Sequence, residues 1–415
     1  MEPTKLNQLG SYGAWAESVA SRPGRLSFGP VMKSGKVRLA EWKKQARSKV
    51  RDLLGPSPVE AAGKALHARE VRRLSFDGLV IEELTWQLPY GPPTEAYFLK
   101  PQGAQDPLPG VLALHDHGHV KYFGKRKIAR TTEELHPFLA EHQRTYYGGA
   151  AWANELAKRG YGVLVHDVFP FESRRIDSAG LPAHMVEHLL AAPGARLELS
   201  LEALASGQSS SESDVPPEEP TEGIHRYHAF AGRHEEAVAR SLLCLGFTFP
   251  GVVLAEDLAA LSILASRPDV DPDRLGCCGL SGGGLRSVYL AGLDDSIDCS
   301  VSVGFMSTWR DFALNKSFAH TWMLYAPLLP NFLDFPEVLA MRVPLPSLVL
   351  GNEGDPLFSL EEARRAGSIL TDVYAQAGAA ENARVSFYPG PHQFNRAMQE
   401  EAFSWMDRCL KEGQE

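Results

Sequence analysis

The sequence predicts an α/β fold: a mostly parallel central sheet flanked by helices, with an N-terminal helical arm and a cap-like insertion. Three observations point there. From about residue 110 onward, short apolar runs alternate with helix-period segments, and such βαβ alternation builds parallel sheets whose sites lie at the carboxyl ends of the strands. The stretch Gly279-Leu280-Ser281-Gly282-Gly283 stands between a strand-like run, Arg274 to Gly279, and a helix-like run, Leu285 to Ala291. Finally, 415 residues that are 44% apolar can bury the core of one large α/β domain.

Residues 1–70 read as the helical arm. They contain Trp15, Trp42 and a basic stretch from Lys43 to Arg47, and they run into the breakers Gly55-Pro-Ser-Pro58. Residues 71–415 read as the main domain. It opens with three strand-like runs around Leu74–Phe76, Leu79–Trp86 and Glu95–Lys100, the last two separated by a Pro/Gly turn, which suggests an antiparallel meander. Strands at Gly110–Leu114, Gly162–His166, Leu275–Gly279, Cys299–Val303, Ser347–Gly351 and Arg384–Tyr388 follow, with helices expected at 150–159, 253–266 and after Ser281. A long insertion, about 176–233, interrupts the series; such insertions commonly cap α/β sites. Within it, residues 206–223 hold no aromatic and no basic side chain and read as a mobile surface loop.

Composition narrows the function. A net charge of −9 argues against a nucleic-acid partner. No stretch approaches the ~20 apolar residues that span a bilayer, and the N-terminus shows no apolar leader core, so the expectation is a cytoplasmic protein without a membrane partner. Five cysteines without metal-type spacing read as reduced thiols. No cofactor is expected, and the oligomeric state is left open, an oligomer included.

The Gly-x-Ser-x-Gly stretch is the pattern of a tight strand-to-helix turn that exposes a nucleophile, with the helix N-terminus aimed at a developing oxyanion. A serine hydroxyl needs a base, and the base needs an acid to orient it. The strand Ser347–Leu350 runs into Gly351-Asn-Glu-Gly-Asp355-Pro356, and the strand Arg384–Tyr388 runs into Pro389-Gly-Pro-His392. Ser281, Asp355 and His392 therefore occupy three strand ends in the chain order Ser, Asp, His; Glu353 is the rival for the acid. The N–H groups of Gly282 and of His117, in the loop Leu114-His115-Asp116-His117-Gly118-His119, are the candidate oxyanion donors. The alternation of His115, His117 and His119 also admits a metal-dependent hydrolase, and a non-catalytic scaffold is the third reading. Aromatic residues Tyr146, Tyr147, Phe169 and Trp309 are candidates for lining a substrate pocket.

With these motifs placed, the chain resembles the α/β-hydrolase superfamily. The lead-in Arg267-Pro-Asp-Val-Asp-Pro-Asp-Arg274 before the Ser281 turn is similar to the dienelactone-hydrolase and acetyl-xylan-esterase-like branch. The resemblance covers about residues 72–412. It implies an α/β-hydrolase fold and a serine carboxylesterase that acts through an acyl-enzyme on a small or short-acyl ester, acetylated carbohydrate among them. Ser281 would be nucleophile, Asp355 acid and His392 base, with Gly282 and His117 holding the oxyanion. Two departures stand out: the dienelactone hydrolases proper use cysteine where this chain has Ser281, and Asp116 interrupts the His-Gly loop of many members.

Overall fold

A computed structural model describes residues 7–33, 35, 37–59, 66–191 and 221–411. Nine strands form one sheet: β1 (Arg69–Phe76), β2 (Leu79–Trp86), β3 (Thr94–Pro101), β4 (Leu108–Leu114), β5 (Gly162–His166), β6 (Val270–Leu280), β7 (Cys299–Val303), β8 (Ser347–Asn352) and β9 (Ala383–Tyr388). Their order is β1-β2-β3-β5-β4-β6-β7-β8-β9. The first three strands are the antiparallel meander, and β3 pairs antiparallel with β5. From β5 through β4 and β6 to β9 every pairing is parallel.

The central strands are apolar without interruption because both faces are covered. Leu112, Leu114 and Cys277 belong to one core, Val111, Ala113 and Cys278 to the other. The helices are α1 (Gly13–Ala20), α2 (Phe28–Lys33), α3 (Leu39–Leu54), α4 (Pro137–Tyr147), α5 (Trp152–Lys158), α6 (Ala183–Ala191), α7 (Thr221–Cys244), α8 (Phe249–Ala265), α9 (Gly282–Leu293), α10 (Phe335–Ala340), α11 (Leu360–Gln376) and α12 (Arg396–Leu410).

The arm is docked on the domain. Trp42 is fully buried, packs edge-on against Phe28 at 4.9 Å and donates to Leu26 O at 2.7 Å. Glu337 of α10 accepts from Phe28 N at 2.6 Å and Ser27 Oγ at 3.1 Å. Trp15, by contrast, stays 65% exposed.

The expected loop at 206–223 meets the structure only at its end. Residues 221–223 open helix α7, and the rest of that stretch lies outside the described residues. Helix α7 also runs past the expected insertion boundary at 233, since Ile224, Ala231, Glu235 and Ala239 give it a continuous buried face.

Candidate active site

Ser281 follows β6 directly and caps α9 with φ +58° and ψ −119°, outside the regions open to ordinary L-residues. The strained turn is over-determined: Ser281 N donates to Val303 O at 2.8 Å, and Leu285 N donates to Ser281 O at 2.9 Å. Only glycine fits behind it. A Cβ on Gly282 would stand 2.8 Å from the backbone N of His117, and one on Gly283 would collide with the carbonyl of Leu114.

Asp355 and His392 meet at the ends of β8 and β9. His392 Nδ1 donates to Asp355 Oδ2 at 2.6 Å, and Leu357 N donates to Asp355 Oδ1 at 2.9 Å. The imidazole side chain is 11% exposed, and its Nε2 has no hydrogen-bond partner among the described residues. With the proton held on Nδ1, that nitrogen carries the lone pair of a base. The His392 ring stands against the backbone that follows β7: a Cβ on Gly304, next to the Val303 that holds Ser281, would lie 2.9 Å from Leu280 Cδ1 and 3.0 Å from His392 Cε1. Glu353 points outward to Arg364 at 2.9 Å.

The loop after β4 lies against the same turn. Among the described residues no loop or turn hydrogen bond engages His117 N, and this amide stands against Gly282, the first residue of α9. Gly118 and His119 both have positive φ, +53° and +56°. Two carboxylates anchor this tight loop. From the core side, Asp116 takes the Tyr147 hydroxyl, His142 Nε2 at 3.1 Å and Lys127 Nζ at 3.3 Å; burial opposes its ionisation, but Lys127 and these donors hold it well below the carboxylate range. From the cap side, Glu235 of α7 bonds His117 Nε2 at 2.9 Å and Lys121 at 2.5 Å. Burial lowers the His117 imidazole to about 4, with Glu235 pulling the other way, so the ring is neutral at pH 7.

This geometry takes the His115, His117 and His119 alternation apart as a metal site. His117 uses both ring nitrogens, Nε2 toward Glu235 and Nδ1 toward His119 N at 3.1 Å, and His115 Nδ1 turns to the Asp116 carbonyl at 3.0 Å. No three His, Cys, Asp or Glu side chains among the described residues are grouped to hold a metal ion.

The four aromatic candidates separate. Tyr146 is half-buried, with its ring 6.4 Å from that of His392. Tyr147 is 0% exposed and spends its hydroxyl on Asp116, so it is core rather than pocket wall. Phe169 packs on Phe249 at 5.3 Å, and Trp309 on Phe335 and Phe312 at 5.5 and 5.7 Å, both against the larger core. Sequence reading missed four contributors: Glu235, the Asp116 anchors Lys127 and His142, and His320, which donates to Leu357 O at 3.1 Å beside the acid. For Glu235 a signal existed, since it stands four residues from both Ala231 and Ala239 on the apolar face of its helix.

No family model matches the chain. Over 374 residues, covering 89% of this chain and 99% of the other, it is 25% identical to the inferred hydrolase YtaP of Bacillus subtilis (strain 168). An inferred acetyl xylan esterase from Bacteroides fragilis NCTC 9343 superposes with a TM-score of 0.61 at 18% identity, over 94% of this chain and 84% of that one. A glucuronoyl esterase from Solibacter usitatus gives 0.58 at 17% identity, over 93% and 97%. One from Teredinibacter turnerae T7901 gives 0.58 at 15%, over 98% and 91%. These likenesses establish the α/β-hydrolase fold.

Proposed function

We propose that this chain is a serine carboxylic-ester hydrolase acting on small or short-acyl esters. The observation that carries the reading is the His392–Asp355 pair, which leaves His392 Nε2 unpartnered, together with the strained strand-to-helix turn that Ser281 occupies at the end of β6. The Ser281 hydroxyl attacks the ester carbonyl as His392 Nε2 takes its proton, and Asp355 steadies the imidazolium. Gly282 N and His117 N donate to the oxyanion of the tetrahedral intermediate. Collapse breaks the C–O bond to the alcohol, which leaves with the proton from His392. Water, deprotonated by the same nitrogen, then attacks the acyl-enzyme and releases the acid.

The fold likeness to enzymes named for acetyl xylan and glucuronoyl esters supports carbohydrate esters as substrates, and acetylated sugars are the first to assay. The test joins two measurements. A fluorophosphonate labels Ser281, located by peptide mass, and Ser281→Ala loses roughly 10⁴ to 10⁶ in turnover of p-nitrophenyl acetate. Near-normal turnover in folded Ser281→Ala, or a label on another residue, rejects this reading; no label at all favours the non-catalytic scaffold.

A further inference from the structure

We infer that Glu235, carried by the cap helix α7, is a positioning residue that holds the oxyanion loop in its working shape, so that the hole exists only while the cap helix is docked. The inference rests on the esterase reading above and adds to it a dependence of catalysis on the cap.

Four donors converge on this one carboxylate. Oε2 accepts from His117 Nε2 at 2.9 Å and Lys121 Nζ at 2.5 Å; Oε1 accepts from Thr321 Oγ1 at 2.6 Å and Trp322 N at 2.8 Å. A carboxylate has about four lone-pair sites, and here all are used. Glu235 is 7% exposed. Burial by itself raises its carboxyl, yet the His117 and Lys121 donors hold it well below the usual range, so it is ionised. Lys121 also donates to Ala231 O of the same helix at 2.9 Å, which doubles the tie between loop and cap.

The chemistry of His117 shows why this matters for catalysis. Its Nδ1 accepts from His119 N, so the proton sits on Nε2 and is given to Glu235. That pair of bonds fixes the ring, and with it the peptide whose N–H stands free beside Gly282. The adjoining backbone is strained, with a non-glycine residue, His119, at φ +56°. Such conformations persist only where their surroundings impose them. Without the carboxylate, His117 loses its acceptor and Lys121 becomes an unpaired buried charge. The loop then relaxes, and the His117 amide turns from the place where the oxyanion forms. Lost orientation of one such donor falls on the transition state rather than on substrate binding.

The experiment compares wild type, Glu235→Gln and Thr321→Val. Glu235→Gln keeps the size but turns an NH₂ toward one pair of donors. Thr321→Val removes a single donor outside the loop and keeps Trp322 N in place, so it serves as the milder variant if the first does not fold. With p-nitrophenyl acetate, kcat per fluorophosphonate-titrated serine falls roughly 10- to 100-fold in Glu235→Gln with KM within about threefold, and several-fold in Thr321→Val. The rate of fluorophosphonate labelling falls by the same factors, because the phosphonyl oxygen needs the same hole. A merely structural Glu235 lowers the melting temperature and the titratable fraction but leaves turnover per labelled serine unchanged; that result, or a change in KM alone, overturns the inference. If wild type takes no label at Ser281, the esterase reading falls and this inference with it; if wild type is labelled and the variants are labelled at its rate, only this inference falls.

Discussion

At the scale of single residues, the choice between two acids in one turn separates a positioned carboxylate from a nearby one. Asp355 Oδ2 is 2.6 Å from His392 Nδ1, whereas Glu353 is engaged by the exposed Arg364. Asp355→Asn is therefore expected to lower kcat by roughly 10³ to 10⁴, by holding the wrong imidazole tautomer, while Glu353→Gln stays within about threefold of wild type. Steady-state kinetics on p-nitrophenyl acetate checks both; equal losses would falsify the assignment of the acid. Gly282 supplies a second prediction at this scale. A methyl there is driven against the His117 amide, so Gly282→Ala is expected to lose roughly 10² to 10³ in kcat at nearly unchanged KM. These positions were legible in the sequence because each stands at a strand end in the order that the chemistry needs. Tyr147 was not legible in this way: it neighbours Tyr146, but successive helix positions face different ways, and its hydroxyl points into the core at Asp116.

Among the elements, the strands were legible and the helices less so. All nine strands read correctly in kind: the central ones are covered on both faces and leave continuous apolar runs, whereas β1, exposed over Arg69 to Arg73, was legible only at Leu74–Phe76. Helix α4 escaped notice because its Pro137–Tyr147 sequence has few aliphatic residues; its buried face includes His142 and Gln143, which hydrogen-bond the loops above it. The arm was legible as helical, but the contact its Gln8 makes was not, because that depends on a local irregularity far away in the chain. A π-helical turn at Phe312–Lys316 leaves carbonyls without regular helix partners. Gln8 takes three of them: Nε2 donates to Phe312 O at 3.0 Å and Ala313 O at 2.6 Å, and its backbone N donates to Leu314 O at 2.9 Å. The same segment reaches the acid loop through Lys316 Nζ to Pro356 O at 2.8 Å and His320 Nε2 to Leu357 O at 3.1 Å. Gln8→Ala is expected to cost about 1–2 kcal/mol in urea unfolding, two side-chain hydrogen bonds of which one is partly exposed, and to lower kcat only a few-fold. A loss of activity without any loss of stability would contradict the idea that the arm acts by bracing this segment.

For the whole molecule, the distribution of buried histidines sets how stability depends on pH. Burial holds His117 and His320 near 4 and His228 near 3, and it lowers His115, His119, His166 and His234 as well. Each is neutral in the native state, whereas unfolding returns it to about 6.5. Between about pH 6.5 and 4 the unfolded chain thus binds the extra protons, and stability falls as pH falls. Four carboxylates run the other way. Burial, reinforced by Glu172, raises Asp167 to about 6, burial raises Glu337 to about 7 against the N–H groups that it accepts, and burial also raises Asp298 and Asp334. Asp167 and Glu337 keep a proton in the native state that the unfolded chain gives up near pH 4, so their contribution is lost as pH rises through 6 and 7. Seven histidines against four carboxylates leave a net proton uptake on unfolding at pH 5 to 6, which vanishes or reverses near neutrality. The stability maximum is therefore expected at about pH 6.5–7, with a decline on the acid side of about 1.4 kcal/mol per pH unit for each net proton. Urea unfolding at pH 5, 6, 7 and 8 measures it. His228→Phe provides the internal check: that ring packs on Phe138 at 5.1 Å with its Nε2 buried and unpartnered, so removing it should stabilise the protein more at pH 5 than at pH 7. An equal effect at both pH values would mean that His228 does not titrate between the two states, and the acid decline would then have to arise from the remaining six histidines.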